Sequence, residues 1–123
     1  MNISNRDRSY LLLATKFAEM SEARHRHGAV VIKGGSVMST GWNKLKNNPS
    51  VLEEGDIKEH AGVHAEADCI KKLGPLVKGS IIYIARINRG GEIRYSEPCK
   101  MCKRAISAAG IKKIVYTIDN QQL

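Results

Sequence analysis

Four residues in two short stretches of the sequence have the types and spacing of a catalytic metal site. His64 and Glu66 begin one predicted helix, and Cys99 and Cys102 begin another directly after Pro98. Two cysteines three positions apart in a first helical turn present their thiols on the same side, and the helix dipole there stabilises thiolates. One imidazole with two thiolates suits Zn²⁺ and leaves the fourth tetrahedral position open for water. The pattern therefore predicts a catalytic zinc site that makes hydroxide near neutral pH.

The residue two positions after His64 supplies a proton carrier for such a site. Glu66 can lean over the open coordination position and move protons from water to a leaving group. The Cys-x-x-Cys pair by itself has two other interpretations, a thioredoxin-like redox site and half of a structural zinc site. A closed structural site needs a fourth ligand, and the candidates are Cys69 and His60. Cys69 lies in the middle of a predicted helix among apolar neighbours, which predicts a small buried core residue. His60 lies in a long loop, where a histidine can equally be a solvent-exposed residue with no metal to bind.

The combined pattern His-x-Glu and Pro-Cys-x-x-Cys is the signature of zinc-dependent nucleobase deaminases. Over roughly residues 8 to 118, the sequence resembles the cytidine/deoxycytidylate deaminase superfamily. The resemblance implies that His64, Cys99 and Cys102 bind one catalytic Zn²⁺. It also implies that Glu66 is the general acid and base in the hydrolytic loss of ammonia from an aminated base.

A second segment, Gly41-Trp42-Asn43, is similar to the stretch that follows the second strand in this family. By that resemblance, Asn43 hydrogen-bonds the nucleoside and the backbone of Ala65 faces the base. Trp42 is interpreted as a wall of the substrate pocket or as part of the core. Without the family, Asn43 would be interpreted as a turn residue.

The short motifs leave two substrate classes open. The segments 41–43 and 97–102 are similar to tRNA adenosine deaminases, whereas residues 108–116 and the long loop before His64 are similar to deoxycytidylate deaminases. Our leading hypothesis is conversion of the cytosine of a nucleotide such as dCMP or CMP to uracil. One alternative is a polynucleotide deaminase acting on single-stranded DNA or tRNA. A further alternative is a non-enzymatic, zinc-stabilised module that binds nucleic acid.

The sequence is strongly basic, with 20 Lys and Arg against 12 Asp and Glu, a net charge of +8 and a pI near 9.6. Such a balance favours anionic partners, here a nucleotide substrate or single-stranded nucleic acid. Half of the excess lies between residues 86 and 104, where six basic residues stand against two acidic ones. We therefore predict substrate contacts from Arg86, Arg89 and Arg94.

Residues 86–96 are an insertion relative to most members of the family, with an exposed turn predicted at 88–91. We expect this turn to cap the pocket or to reach toward a phosphate or a strand. His25 and His27 lie in a basic stretch before the first strand and are expected to be ordinary surface histidines.

Apolar periodicity predicts the elements that must hold these residues. In chain order, they are a helix over 7–22, strands over 29–32 and 36–40, a loop over 43–62, a helix over 64–73, a strand over 80–85, a helix over 99–109 and a strand over 113–118. A hairpin followed by alternating strands and helices predicts an α/β fold with parallel pairing among the later strands. By the family resemblance, this is a cytidine deaminase-like three-layer α/β/α arrangement with a central mixed sheet of four to five strands.

The length of 123 residues predicts a single deaminase domain over residues 1–123. Three cysteines are too few for a disulfide scaffold, and the apolar run at 10–14 is too short for a signal peptide or a membrane span. These features predict a cytoplasmic protein that does not enter a membrane. A homo-oligomer is expected, because family members commonly assemble and the sheet would otherwise leave an exposed edge.

Overall fold

The computed structural model describes residues 3–44 and 64–123, which form three α-helices and five β-strands. In chain order these are α1 (Asn5–Ala18), β1 (Arg26–Lys33), β2 (Ser36–Trp42), α2 (Ala65–Leu73), β3 (Ile81–Ile87), β4 (Ile93–Arg94), α3 (Lys100–Ala108) and β5 (Lys113–Tyr116). All helices and strands predicted from periodicity are present. Most of the predicted loop over 43–62, including His60, lies outside the described residues.

The strands form one mixed sheet with β3 at its centre. β1 pairs antiparallel with β2 on one side and with β3 on the other. The outer side of β3 is shared by two strands: residues 81–84 pair in parallel with β5, and residues 86–87 pair antiparallel with β4. The predicted mixed sheet and the parallel pairing of the later strands are confirmed.

Helices cover both faces of this sheet. α1 buries Leu11 and Ala14 against one face, while α2 and α3 bury Cys69 and Ile106 against the other. Cys69 is fully buried, as predicted, and its burial raises the pKa of its thiol to about 12. The three-layer α/β/α arrangement is therefore confirmed. In the described part of the chain, no helix is long and apolar enough to cross a membrane.

α1 begins where the sequence provides a cap and ends earlier than predicted. The Ser4 hydroxyl oxygen accepts a hydrogen bond from the Asp7 backbone N–H at 3.0 Å. The helix ends at Ala18, because the chain then turns toward β2, where the Ser21 hydroxyl donates to the Asn43 carbonyl oxygen at 2.9 Å. This bond places the segment after α1 beside the end of β2.

Within residues 86–96, the end of β3 turns back and pairs with β4 as a hairpin. Asn88 closes the turn: its carbonyl oxygen accepts from the Gly91 N–H at 3.0 Å, and its Oδ1 accepts from the Glu92 N–H at 2.9 Å. The exposed turn predicted at 88–91 is confirmed. β4 itself was not predicted, because a two-residue strand is too short to show an alternating pattern.

A buried pair of hydroxyls joins this hairpin to the end of β5. The Ser96 hydroxyl donates to the Ile84 carbonyl oxygen at 2.9 Å and accepts from the Thr117 N–H at 2.8 Å. The Thr117 hydroxyl donates to the Arg94 carbonyl oxygen at 2.7 Å. β5 therefore ends before Thr117, earlier than predicted, and the same bonds fix the turn that leads to Cys99.

Candidate metal centre and active site

Two helix N-termini bring the predicted metal ligands together. His64 is the N-cap of α2 and Cys99 is the N-cap of α3, and both have extended backbone conformations. Cys102 is buried in the first turn of α3. The candidate ligand atoms of the three residues lie within 4.8 Å of one another, and His64 Nδ1 is 3.1 Å from Cys102 Sγ. The structure thus assembles the three residues predicted as ligands.

The chemistry of this donor set fits a divalent metal that prefers thiolates. Burial raises the pKa of the Cys102 thiol, and the neighbouring Glu66 carboxylate and Cys99 raise it further. A divalent cation reverses this effect, because a coordinating thiol loses its proton outright. His64 Nε2 is buried and has no hydrogen-bond partner among residues 3–44 and 64–123. The cluster can therefore hold a metal ion.

Glu66 lies beside these ligands in the first turn of α2. It is only 5% exposed and lines the same cavity as His64 and Cys99. Burying a carboxylate is costly unless a cation or hydrogen-bond donors compensate it. A buried acid next to candidate metal ligands is therefore a strong candidate for proton transfer.

A cavity of about 550 Å³ adjoins this cluster, which is a typical size for a small-molecule site. Its walls come from the segment after α1, the start of β1, the end of β2, the start of α2 and the turn before α3. The lining residues are Glu22, Ala23, Arg24, His25, His27, Asn43, Lys44, His64, Ala65, Glu66, Arg86, Arg89, Ser96, Glu97, Pro98 and Cys99. Four of the predicted substrate contacts lie in this wall: Asn43, Ala65, Arg86 and Arg89.

The Asn43 side chain connects the end of β2 to the start of β1. Its Oδ1 accepts from the His27 backbone N–H at 2.8 Å, and its Nδ2 donates to the His25 carbonyl oxygen at 2.6 Å. Asn43 therefore holds the segment that carries both histidines, a role that the sequence did not reveal. Its contact with a nucleoside stays a prediction.

The expectation that His25 and His27 are ordinary surface residues is wrong. Both line the cavity, and burial lowers the pKa of His27, although the nearby Glu66 carboxylate opposes this effect. The period of two along β1 could have revealed the position of His27. Ala29 and Val31 face α2 and α3, so the residue two positions earlier points to the same side of the sheet.

Trp42 is not among the described residues that line the cavity. Its ring stacks on Phe17 with centroids 6.3 Å apart, and Lys44 Nζ lies 4.6 Å from its ring centroid. The structure therefore places Trp42 in the packing between β2 and α1 and does not bring it to the predicted substrate wall.

A close approach between β2 and α2 fixes the start of the helix that carries Glu66. A Cβ on Gly41 would lie 2.9 Å from both the Ala65 carbonyl oxygen and Asp68 Oδ2.

Asp68 pairs with Lys44 at 3.0 Å and Lys72 at 3.1 Å. Although burial acts to raise the pKa of Asp68, hydrogen bonds from the two lysines lower it overall.

The basic residues predicted near the site divide into two groups. Arg86 and Arg89 line both the cavity and a neighbouring groove, and Arg94 lines the groove. Lys103, in contrast, forms an ion pair with Glu97, and this hydrogen bond lowers the pKa of the Glu97 carboxyl. Among the basic residues of the segment 86–104, those that line the cavity or the groove are therefore all arginines.

Residues 4–118 match the family described as the cytidine and deoxycytidylate deaminase zinc-binding region. The match extends over almost the whole chain, and the chain belongs to this family. Its members are deaminases, which are hydrolases that act on carbon–nitrogen bonds. The family predicted from the His-x-Glu and Pro-Cys-x-x-Cys motifs is confirmed.

Three curated proteins show how far the similarity extends. A probable cytosine deaminase of Schizosaccharomyces pombe is 25% identical over 98% of this chain, which spans 65% of that protein. A tRNA-specific adenosine deaminase of Buchnera aphidicola is 27% identical over 98% of this chain and 71% of its own length. The deoxycytidylate deaminase of Mycobacterium phage D29 is 30% identical over 89% of this chain and 92% of its own length.

Solved structures confirm the fold. The apo dCMP deaminase of cyanophage S-TIM5 superimposes with a TM-score of 0.68 at 26% identity, covering 94% of this chain and 86% of that one. The same enzyme in complex with dCMP and dUMP gives a TM-score of 0.70 at 24% identity, covering 94% and 83%. The mixed sheet between helical layers is thus shared with a dCMP deaminase.

Proposed function

We propose that this chain is a zinc-dependent hydrolytic deaminase that converts the cytosine base of a nucleotide to uracil and releases ammonia. The observation that carries this proposal is the grouping of His64, Cys99 and Cys102 within 4.8 Å of one another beside the buried Glu66. These residues adjoin a cavity of about 550 Å³, large enough for a base and a sugar.

His64 and the thiolates of Cys99 and Cys102 would hold one Zn²⁺ ion. The N-terminal ends of α2 and α3 favour the two thiolates electrostatically. When bound, zinc lowers the pKa of a water molecule toward neutrality. The three protein ligands leave room for that water, which is the arrangement of a catalytic rather than a structural site.

Glu66 would carry the proton through the reaction. Its carboxylate accepts a proton from water as the water oxygen bonds to C4 of the base. It then donates the proton to the amino group, which leaves as ammonia when the C4–N bond breaks. One water is consumed and one ammonia is released, and Glu66 returns to its starting state.

Asn43 and Ala65 would position the substrate in the cavity. The backbone of Ala65, the first residue of α2, would face the base. Beyond its bonds to the backbone of His25 and His27, the Asn43 amide keeps one N–H and one oxygen lone pair. That capacity suits a hydroxyl of the sugar.

Two relatives support a deoxycytidylate-type substrate. The phage D29 deoxycytidylate deaminase matches over 92% of its own length, and the cyanophage S-TIM5 enzyme binds dCMP and dUMP in a similar fold. Arg86 and Arg89 at the cavity wall would supply the basic contacts that a monophosphate needs.

A second candidate, deamination within a single-stranded DNA or a tRNA, is supported by a different observation. Four arginines line the groove next to the cavity, and a strand requires a track of such contacts. The relative from Buchnera is a tRNA-specific adenosine deaminase. Both candidate functions use the same centre of zinc ligands and Glu66. They differ in whether the substrate ends at one phosphate or continues as a strand.

The experiment is a substrate panel with the zinc-loaded protein. It contains dCMP, CMP, cytidine, adenosine and single-stranded oligonucleotides, and it measures ammonia release together with product mass. We expect turnover of a cytosine nucleotide. Turnover of oligonucleotides alone would favour the second candidate, and no turnover of any substrate would refute the deaminase proposal and favour a non-enzymatic zinc module.

A further inference from the structure

We infer that the arginine-lined groove beside the reaction cavity is a second phosphate subsite, which binds a phosphate beyond the one next to the sugar of the substrate. The inference rests on the proposed function and specifies its substrate class. Beside a nucleoside monophosphate, the site would then accept a nucleotide with a chain of phosphates, either the polyphosphate of a nucleoside triphosphate or the phosphodiester backbone of a single strand.

The groove is continuous with the cavity. Arg24, Arg86 and Arg89 line both, and the groove of about 600 Å³ continues to Arg94, beyond the cavity wall. Four of its seven lining residues are arginines, and among the described residues no acidic side chain lines it. A phosphate chain that leaves the cavity would therefore enter a strongly positive groove.

The pairing of β3 with β4 brings like charges together. Arg86 and Arg94 are direct partners across the two antiparallel strands, so their side chains project from the same face. Like charges directly opposite each other destabilise a pair of strands. An anion bound between or beside the two guanidinium groups would relieve this repulsion.

The arginines also retain unused hydrogen-bond donors. Arg86 Nη2 donates to His25 Nδ1 at 2.8 Å, but Arg86 Nε is buried without a partner in the described part of the chain. Arg94 Nη1 donates to Asn120 Oδ1 at 2.9 Å. A guanidinium has five N–H donors arranged as a planar fork, so each side chain has donors left for phosphate oxygens.

Side-chain hydrogen bonds hold the hairpin turn that forms part of the groove wall. The Asn88 Nδ2 donates to Glu92 Oε1 at 3.1 Å, while the Glu92 N–H donates to Asn88 Oδ1. These two bonds tie the Glu92 carboxylate into the turn, although it also lies 3.6 Å from Arg94 Nη2. That carboxylate is 61% exposed, so solvent screens its effect on the groove.

One phosphate does not account for this arrangement. A mononucleotide phosphate is held by one or two basic contacts, and the cavity wall already provides Arg24, Arg86 and Arg89. Arg94 lies outside that wall, across the groove. It would reach a phosphate that continues outward from the first one.

The test measures binding of products, which the enzyme does not consume. Affinities of the zinc-loaded protein are determined by isothermal titration for dUMP, for dUTP and for a short single-stranded oligonucleotide containing one deoxyuridine. We expect dUTP or the oligonucleotide to bind roughly tenfold more tightly than dUMP, which corresponds to one charge-assisted contact. This gain in affinity over dUMP should shrink as salt is added.

Three variants locate the gain. Arg94→Ala should remove most of it and leave the affinity for dUMP unchanged. Arg94→Gln, which removes the charge but keeps a hydrogen-bond donor for Asn120, is a second variant in case Arg94→Ala does not fold. Arg8→Ala, on α1 and outside the groove, removes the same charge and should keep the gain. A gain with dUTP alone identifies a polyphosphate and a gain with the oligonucleotide alone identifies a strand, and both support the subsite.

Equal affinity for all three ligands would overturn the inference, as would equal losses in Arg94→Ala and Arg8→Ala. Its failure can be distinguished from failure of the proposed function, because binding is measured without catalysis. Turnover of dCMP with no gain leaves the deaminase intact and removes the second subsite. A gain that depends on Arg94 without turnover of any substrate keeps the subsite and refutes the deaminase.

Discussion

At the scale of single residues, the site depends on ionisable groups that are removed from water. Glu66 is only 5% exposed and lies beside two cysteines and a histidine. Among the described residues, no ion pair joins it to an arginine or a lysine. Because a buried carboxylate needs compensation, a cation held by the neighbouring ligands would stabilise it. We therefore predict that Glu66 moves a proton in the reaction.

Replacing Glu66 by glutamine should separate metal binding from catalysis. The Glu66→Gln side chain has nearly the same shape but cannot accept a proton, so we expect the zinc content to stay unchanged. We expect kcat to fall by about 10²–10⁴-fold. Zinc is measured by mass spectrometry of the metal and kcat by ammonia release. Glu19→Gln, at the exposed end of α1, is the matched control, and wild-type kcat in Glu66→Gln would contradict the assigned role.

Asp68 predicts a pH dependence of stability. Because its pKa is lowered in the folded protein by Lys44 and Lys72, the unfolded chain binds more protons at this position. The contribution is therefore present above the unfolded pKa of about 4 and lost as the pH falls through the folded value. Both lysines are more than 40% exposed, so the loss in Asp68→Asn should be below about 1 kcal/mol.

Urea unfolding of wild type and Asp68→Asn at neutral and acidic pH measures this effect. We expect the difference in the free energy of unfolding to be largest at neutral pH and to vanish in acid. A difference that persists unchanged into acid would mean that the ion pairs are not its cause.

The sequence was informative for residues with a distinctive chemistry and less so for others. His64, Glu66, Cys99 and Cys102 could be found because few kinds of site other than a zinc deaminase centre place these residue types at this spacing. His27 was missed because a histidine near basic neighbours looks like a solvated one. Its position in the cavity depends on the direction of β1 relative to α2, which is a property of the tertiary structure.

At the scale of elements, the site depends on how closely β2 approaches α2. Gly41 allows the strand to contact the backbone of Ala65, and the first turn of that helix carries Glu66. The elements around this contact were predictable from their periodicity. The hairpin in residues 86–96 and the hydroxyl pair Ser96 and Thr117 were not, because they depend on pairing between distant parts of the chain.

Gly41→Ala should shift the start of α2 and weaken the site. The added Cβ would lie 2.9 Å from a backbone oxygen, so the helix must move away from β2. We expect a loss of zinc affinity and of kcat, measured by competition with a chelator and by ammonia release. Gly28→Ala, whose clash is with α1 on the other face of the sheet, is the comparison.

In Gly28→Ala, the main loss should be in the free energy of unfolding, and the folded fraction should bind zinc as wild type does. Gly41→Ala with wild-type zinc affinity and kcat would show that this contact does not position the site.

At the scale of the whole molecule, the candidate ligands connect two helices that are otherwise joined through the core. His64 belongs to the start of α2, and Cys99 and Cys102 belong to the start of α3. A metal held by all three residues would therefore couple these helices. The homo-oligomer, the single domain over 1–123 and the cytoplasmic location stay predictions.

Removing zinc should lower the stability of the chain. Free zinc at a thousandfold excess over its Kd stabilises the folded state by about 4 kcal/mol, since the unfolded chain lacks the assembled site. Thermal unfolding with and without a chelator measures this difference. Cys99→Ser should reduce it, whereas an equal Tm for the zinc-loaded and chelated protein would contradict a site that joins α2 and α3.

The most direct test of the central claim follows oxygen from water into the product. Zinc-loaded protein is incubated with dCMP in water labelled with heavy oxygen, and the product is analysed by mass spectrometry alongside the ammonia released. Hydrolysis at C4 assisted by Glu66 predicts dUMP with one heavy oxygen and one ammonia per dUMP, and much slower formation of both with Glu66→Gln. Unchanged dCMP in the zinc-loaded wild type, or dUMP formed without the label, would contradict it.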